Sequence, residues 1–185
     1  MRNVILLLAA LAVVFVAPSG ALADDDVQHT FSLTISPLHL VLPMGELTGE
    51  YRAGDKLGIG GILGFGSATV ETSGGDEDTL TLFEVGATLR YYLLGSFIHG
   101  MQVGLEALYL HAGGDVGGVA AAGEGLSVGP FIGYKIATNV GFTFDAQFGG
   151  TYVIAGAKAS DGESSASASE SAFGALLNLN IGWSF

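Results

Sequence analysis

From Phe31 to the end of the chain, apolar residues alternate with polar or small ones in short runs. This period of two predicts β-strands, and clusters of Gly, Asp, Ser and Asn separate the runs. Eight such segments follow one another. FSLTIS sets Phe31, Leu33 and Ile35 against Ser32, Thr34 and Ser36. ELTGEYR opposes Glu46, Thr48, Glu50 and Arg52 to Leu47, Gly49 and Tyr51, and LGIGGILGF opposes Leu57, Ile59, Leu63 and Phe65 to mostly glycine. FEVGATLRYYL is the clearest, with Phe83, Val85, Ala87, Leu89, Tyr91 and Leu93 on one parity and Glu84, Gly86, Thr88, Arg90 and Tyr92 on the other. MQVGLEALY, LSVGPFIGYKI, FTFDAQFGGTY and LNLNIGWSF complete the set.

The charges sort by face. All eight inside the segments, Glu46, Glu50, Arg52, Glu84, Arg90, Glu106, Lys135 and Asp145, lie on the polar parity. A face in contact with hydrocarbon must be free of charge, because Lys or Arg at the bilayer midplane costs ~2–4 kcal/mol. Each segment is roughly 9–11 residues, the length a tilted strand needs to cross a bilayer. Short links near Gly54-Asp55, Gly95-Ser96 and Thr138-Asn139 take turns with longer ones at residues 68–79, 112–125 and 154–171. Outer-membrane barrels show the same rhythm, with short periplasmic turns and longer external loops. The apolar-parity aromatics then fall in two rows: Phe31, Tyr51, Tyr91, Tyr134, Phe142 and Trp183 at the periplasmic level, and Phe65, Phe83, Tyr109 and Tyr152 at the outer one. Pro37 interrupts the first segment, which runs past it only with a bulge, and Pro130 predicts a second bulge because it lacks a ladder donor.

The expected fold is therefore all-β, an eight-stranded antiparallel up-and-down transmembrane β-barrel. A soluble barrel with its apolar face inward around a ligand gives the same alternation. The polar parity, rich in glycine and charge, would make a poor solvated face, and this favours lipid.

The start of the chain adds a compartment. Met-Arg-Asn, an apolar run from Val4 to Ala17 and Ala21-Leu22-Ala23 before three aspartates read as a signal peptide over residues 1–23, leaving the barrel domain at 24–185. The run is ~14 residues, short of the ~20 a spanning helix needs. With no cysteine there is neither a disulfide nor a lipid-anchoring site. A hydrophobic content of 49% beside 13% charged residues suits a chain that shows apolar surface to lipid, and the net charge of -12 argues against nucleic acid.

The last segment carries a resemblance. Leu177, Leu179, Ile181, Trp183 and Phe185 form an alternating strand with a terminal aromatic, similar to the C-terminal signature of bacterial outer-membrane proteins. Strand number and size resemble the OmpA transmembrane domain, OmpX and OmpW, and GYKIATNVGFTFDAQFGGTYV resembles outer-membrane protein beta-barrel domains. The resemblance implies a Gram-negative outer membrane, contact with its lipid and lipopolysaccharide, and recognition of Phe185 by the barrel assembly machinery.

The candidate chemistry is sparse. The inward charges are expected to pair, with Arg52, Arg90 and Lys135 neutralising Glu46, Glu50, Glu84, Glu106 and Asp145 as a plug or a gate. His29, His39, His99 and His111 sit in separate elements, so neither a catalytic pair nor a metal motif is expected, and no cofactor is implied. Glu71, Asp76, Glu77 and Asp78, and separately Asp161, Glu163 and Glu170, read as solvated external loops, or as sites that bridge cations to lipopolysaccharide phosphates. The expected role is non-enzymatic, in envelope integrity or surface interaction. A narrow channel for small hydrophobic or ionic solutes is the alternative, and a lipid-directed enzyme is a third.

Overall fold

The computed structural model describes residues 29–40, 44–71, 77–116, 119–160 and 165–185, and the expected signal peptide lies outside them. Its strands are β1 (Phe31–Ile35), β2 (Met44–Gly54), β3 (Leu57–Glu71), β4 (Glu77–Gly95), β5 (His99–Val116), β6 (Val119–Ala137), β7 (Phe142–Ser160) and β8 (Ser165–Ser184). Each pairs antiparallel with its chain neighbours and β8 pairs with β1, so one sheet closes into a ring. From Ile35 the register passes through Leu47, Leu63, Val85, Tyr109, Leu126 and Ile154 to Ser171, whereas Ile35 itself pairs with Ile181. The ring closes with a stagger of ten residues along β8. Such a stagger tilts the strands, and with eight of them the interior is only wide enough for side chains to fill.

The alternation read from the sequence becomes an inside and an outside. Ser32, Thr34, Glu46, Thr48, Glu50, Glu84, Thr88, Arg90, Gln102, Glu106, Lys135, Asp145, Gln147, Asn178 and Asn180 are buried, while Leu47, Leu63, Val85, Leu89, Leu105, Ile132 and Phe148 are exposed. The five residues of the C-terminal strand, Leu177, Leu179, Ile181, Trp183 and Phe185, share the outward parity. Apolar residues also enter the interior, namely Ile62, Tyr92 and Phe131.

Three local expectations change. The connections at 68–79, 112–125 and 154–171 are mostly strand, because β3 to β8 run 15 to 20 residues. Their Ala, Gly, Ser and Thr residues give no apolar alternation yet still pair backbone to backbone. β1 stops at Ile35 instead of running past Pro37, and residues 37–40 form a turn. The wall is consequently low at β1 and β2, and among the described residues β8 above Ile181 has a strand neighbour, β7, on one side only.

No bulge forms at Pro130. The β6–β7 register is the same before the proline (Val128↔Tyr152) and after it (Phe131↔Gly149). The ladder lapses for two residues on each strand, so no extra residue has to be absorbed. The register shifts lie instead beside short turns, between Arg52 and Gly54 and between Tyr92 and Leu94.

Inward glycines make room for the large side chains. A Cβ on Gly104 would stand 2.4 Å from both the Phe131 ring and the Leu89 carbonyl, whereas one on outward-facing Gly61 meets nothing within 4 Å. Gly104→Ala is expected to lower stability by about 1–3 kcal/mol in urea unfolding, as overpacking does. Gly61→Ala is expected to leave the midpoint unchanged or raise it.

Candidate functional site

The polar residues of the interior form two layers of opposite character. The lower one lies toward the short turns and is neutral. Arg90 on β4 donates to Glu50 on β2 at 3.2 Å and also to Asp145 on β7. Lys135 on β6 donates to the same Glu50 oxygen at 2.8 Å and to Ser32 at 3.1 Å. Tyr92 donates its hydroxyl proton to the second Glu50 oxygen at 2.8 Å, and Gln102 and Gln147 donate to Asp145 at 2.5 and 2.8 Å. Two cations face two carboxylates, and polar hydrogens from four strands satisfy both acids. This arrangement makes buried charge tolerable.

Phe97 seals this layer from below. The β4–β5 connection folds inward, so the Phe97 ring is fully buried, with Lys135 Nζ 3.5 Å from its centroid and Tyr92 edge-on at 6.2 Å. The next residue, Ile98, packs on Ala137 and accepts a 2.7 Å hydrogen bond from the Ala137 N–H. Sequence reading missed this plug because an aromatic in a short glycine-flanked link reads as a surface turn. Phe97 as a large apolar residue between turn residues was the available signal.

The upper layer is acidic. Glu46 on β2, Glu84 on β4 and Glu106 on β5 are all buried, and Glu106 lies close enough to repel the other two. The expected pairing of these three with Arg or Lys does not occur: no described Lys or Arg forms a salt bridge with them. Arg52, expected in the network, sits at the β2–β3 turn and pairs with exposed Asp55 at 3.4 Å. It lies beside the register shift at the end of β2, where its guanidinium meets Asp55 of the turn and not the carboxylates deeper in the ring. Of the expected network, Glu50, Arg90, Lys135 and Asp145 do come together.

His39 joins the acidic layer from the β1–β2 turn, an encounter that its separation from the other histidines concealed. Its Nε2 stands 3.3 Å from Glu46 Oε2, and its Nδ1 stands 2.8 Å from Ser36 Oγ, which donates onward to Asn178 at 3.3 Å. Burial pushes the imidazole pKa below its ordinary value, with the Glu84 carboxylate opposing. A Ser–His–Glu chain invites a hydrolytic reading. Ser36, however, is 1% exposed and its proton is committed to Asn178, so a substrate carbonyl has no approach.

Above this layer the taller strands enclose a recess of about 370 Å³ lined by Glu84, Leu108, Leu110, Ser127, Val153 and Ala155, among others. Its base ends on the acidic layer. Of the expected acidic loop clusters, Asp76, Asp161 and Glu163 lie outside the described residues, as do the side chains of Glu71 and Glu77. No protein-family model, curated protein or solved structure matches this chain.

The two layers respond oppositely to loss of charge. Arg90→Met strands Glu50 and Asp145 and is expected to cost about 3–5 kcal/mol of unfolding free energy. Glu84→Gln relieves repulsion and is expected to leave the metal-free protein as stable or more so, both read from denaturant midpoints of refolded protein.

Proposed function

We propose that the protein is an outer-membrane barrel with a sealed lumen, acting in envelope integrity or surface interaction without catalysis. The observation that carries this reading is the outward band. Leu33, Leu47, Leu63, Val85, Leu89, Leu105, Ile132, Phe148 and Leu177 are exposed in a continuous belt around the ring. An apolar belt of this extent on a closed sheet matches what lipid requires.

Aromatics border the belt on both sides. Phe31, Tyr51, Tyr91, Tyr134, Phe142 and Trp183 lie at the short-turn edge, and Phe65, Tyr109 and Tyr152 at the other, with Phe83 packed on Phe65 and Phe173 on Tyr152 at 5.1 Å each. Tyr152 and Phe142 are ten residues apart on β7, so at strand rise and tilt the rows stand about 25 Å apart, the height of an outer-membrane apolar band. Among the described residues above the lower row, outward-facing charge is met beyond the upper row, at Asp115, Glu124 and Lys158. The resemblance of the alternating Leu177, Leu179, Ile181 and Trp183 to a strand of small outer-membrane barrels supports the same compartment.

Two features bear on the role. The plug of Phe97, Tyr92 and the lower charge layer favours a structural barrel over a solute channel. The upper halves of β3 to β8 would stand clear of the membrane as a tall wall whose β8 edge, among the described residues, is open to surface contacts.

Leu89 lies mid-belt and is 47% exposed. Leu89→Arg is expected to cost ~2–4 kcal/mol of folding free energy in phospholipid vesicles, and an unchanged value would contradict the lipid assignment. In planar bilayers the native protein is expected to show no sustained conductance; steady single-channel steps would favour the channel reading.

A further inference from the structure

We propose that His39 Nε2 and the carboxylates of Glu46 and Glu84 bind one divalent first-row transition-metal ion of the zinc class at the outer end of the lumen. One ligand atom from each of the three residues lies within 4.8 Å of the others. A zinc ion about 2.0–2.2 Å from each fits that space after small side-chain adjustments.

Three observations converge on a cation. First, Ser36 Oγ donates to Asn178 and therefore accepts from His39 Nδ1, which fixes the tautomer of the neutral ring. Nε2 is then a bare acceptor facing Glu46 Oε2 at 3.3 Å. Two lone pairs at that distance repel unless a proton or a metal ion sits between them, and a histidine held through its other nitrogen is the usual setting of a metal ligand. Second, Glu46 Oε1 and Glu84 Oε1 are buried without a hydrogen-bond partner, in residues only 3% and 5% exposed. Third, Glu106 adds another carboxylate to the layer, 4% exposed and with its Oε2 also unpartnered. The layer as a whole is short of positive charge while the one beneath it is balanced.

The donor set selects among ions. Calcium and magnesium take oxygen ligands, whereas imidazole with carboxylate suits zinc and its neighbours. The recess above has Glu84 in its lining and provides the entry path from the outer side. Bound there, the ion would fasten the β1–β2 turn, at the lowest point of the wall, to β4. The site stands on lumen geometry alone and does not depend on the lipid assignment.

Titration of refolded protein in detergent with zinc chloride tests this. One ion per chain is expected, with a rise in the thermal midpoint that EDTA reverses. His39→Ala and Glu84→Gln are each expected to weaken binding at least tenfold, while His111→Ala, at a position outside the cluster, retains it. In the unaltered protein zinc is expected to shift the imidazole resonances of His39 and not those of His29, His99 or His111, a readout that needs no variant to fold. Absence of saturable binding, or wild-type affinity in both His39→Ala and Glu84→Gln, would overturn the proposal, the second outcome by tracing the zinc to surface histidines.

Discussion

A closed sheet of eight strands with a stagger of ten leaves an interior that must be filled by the side chains pointing into it. Everything else in this molecule follows from that narrowness. Polar residues on the inward parity cannot retain bulk hydration, so they must satisfy one another. Glycines such as Gly104 are needed wherever a large neighbour such as Phe131 crosses the axis. The apolar parity is left outside, where only lipid accommodates it without cost in the setting proposed for this chain.

Within the lumen, charge is divided instead of averaged. Arg90 joins β2, β4 and β7 through Glu50 and Asp145, and Lys135 brings in β6 and, through Ser32, β1. Such a hub adds little net stability over an apolar core, but its geometry penalises a shifted register, because a one-residue slip would send every charge to the outer face. Above it, the carboxylates of Glu46, Glu84 and Glu106 form no salt bridge with a described Lys or Arg. The low β1–β2 turn brings His39 to this layer and gives it a reason to exist.

The sequence displayed what has a period. Strand number, antiparallel order, face assignment and the inward placement of Glu50, Arg90, Lys135 and Asp145 were legible because alternation is a local pattern with a global meaning. Strand length was not, since the Ala- and Ser-rich stretches of β6 to β8 pair through backbone bonds that leave no apolar signature. Arg52 was misplaced because parity does not reveal where a strand leaves the lumen for its turn. Phe97 and His39 were missed for a related reason: both reach the interior from connections, and no periodicity links a turn residue to the strands it will meet.

The central claim is that the barrel is inside out, with its apolar parity against lipid. Nuclear Overhauser contacts between lipid acyl chains and protein methyl groups in nanodiscs test it most directly. Contacts from Leu47, Leu63, Leu89, Leu105 and Ile132, with none from lumen-facing Ile62, are the predicted result. Methyls at these five positions that contact water and not acyl chains would contradict the account.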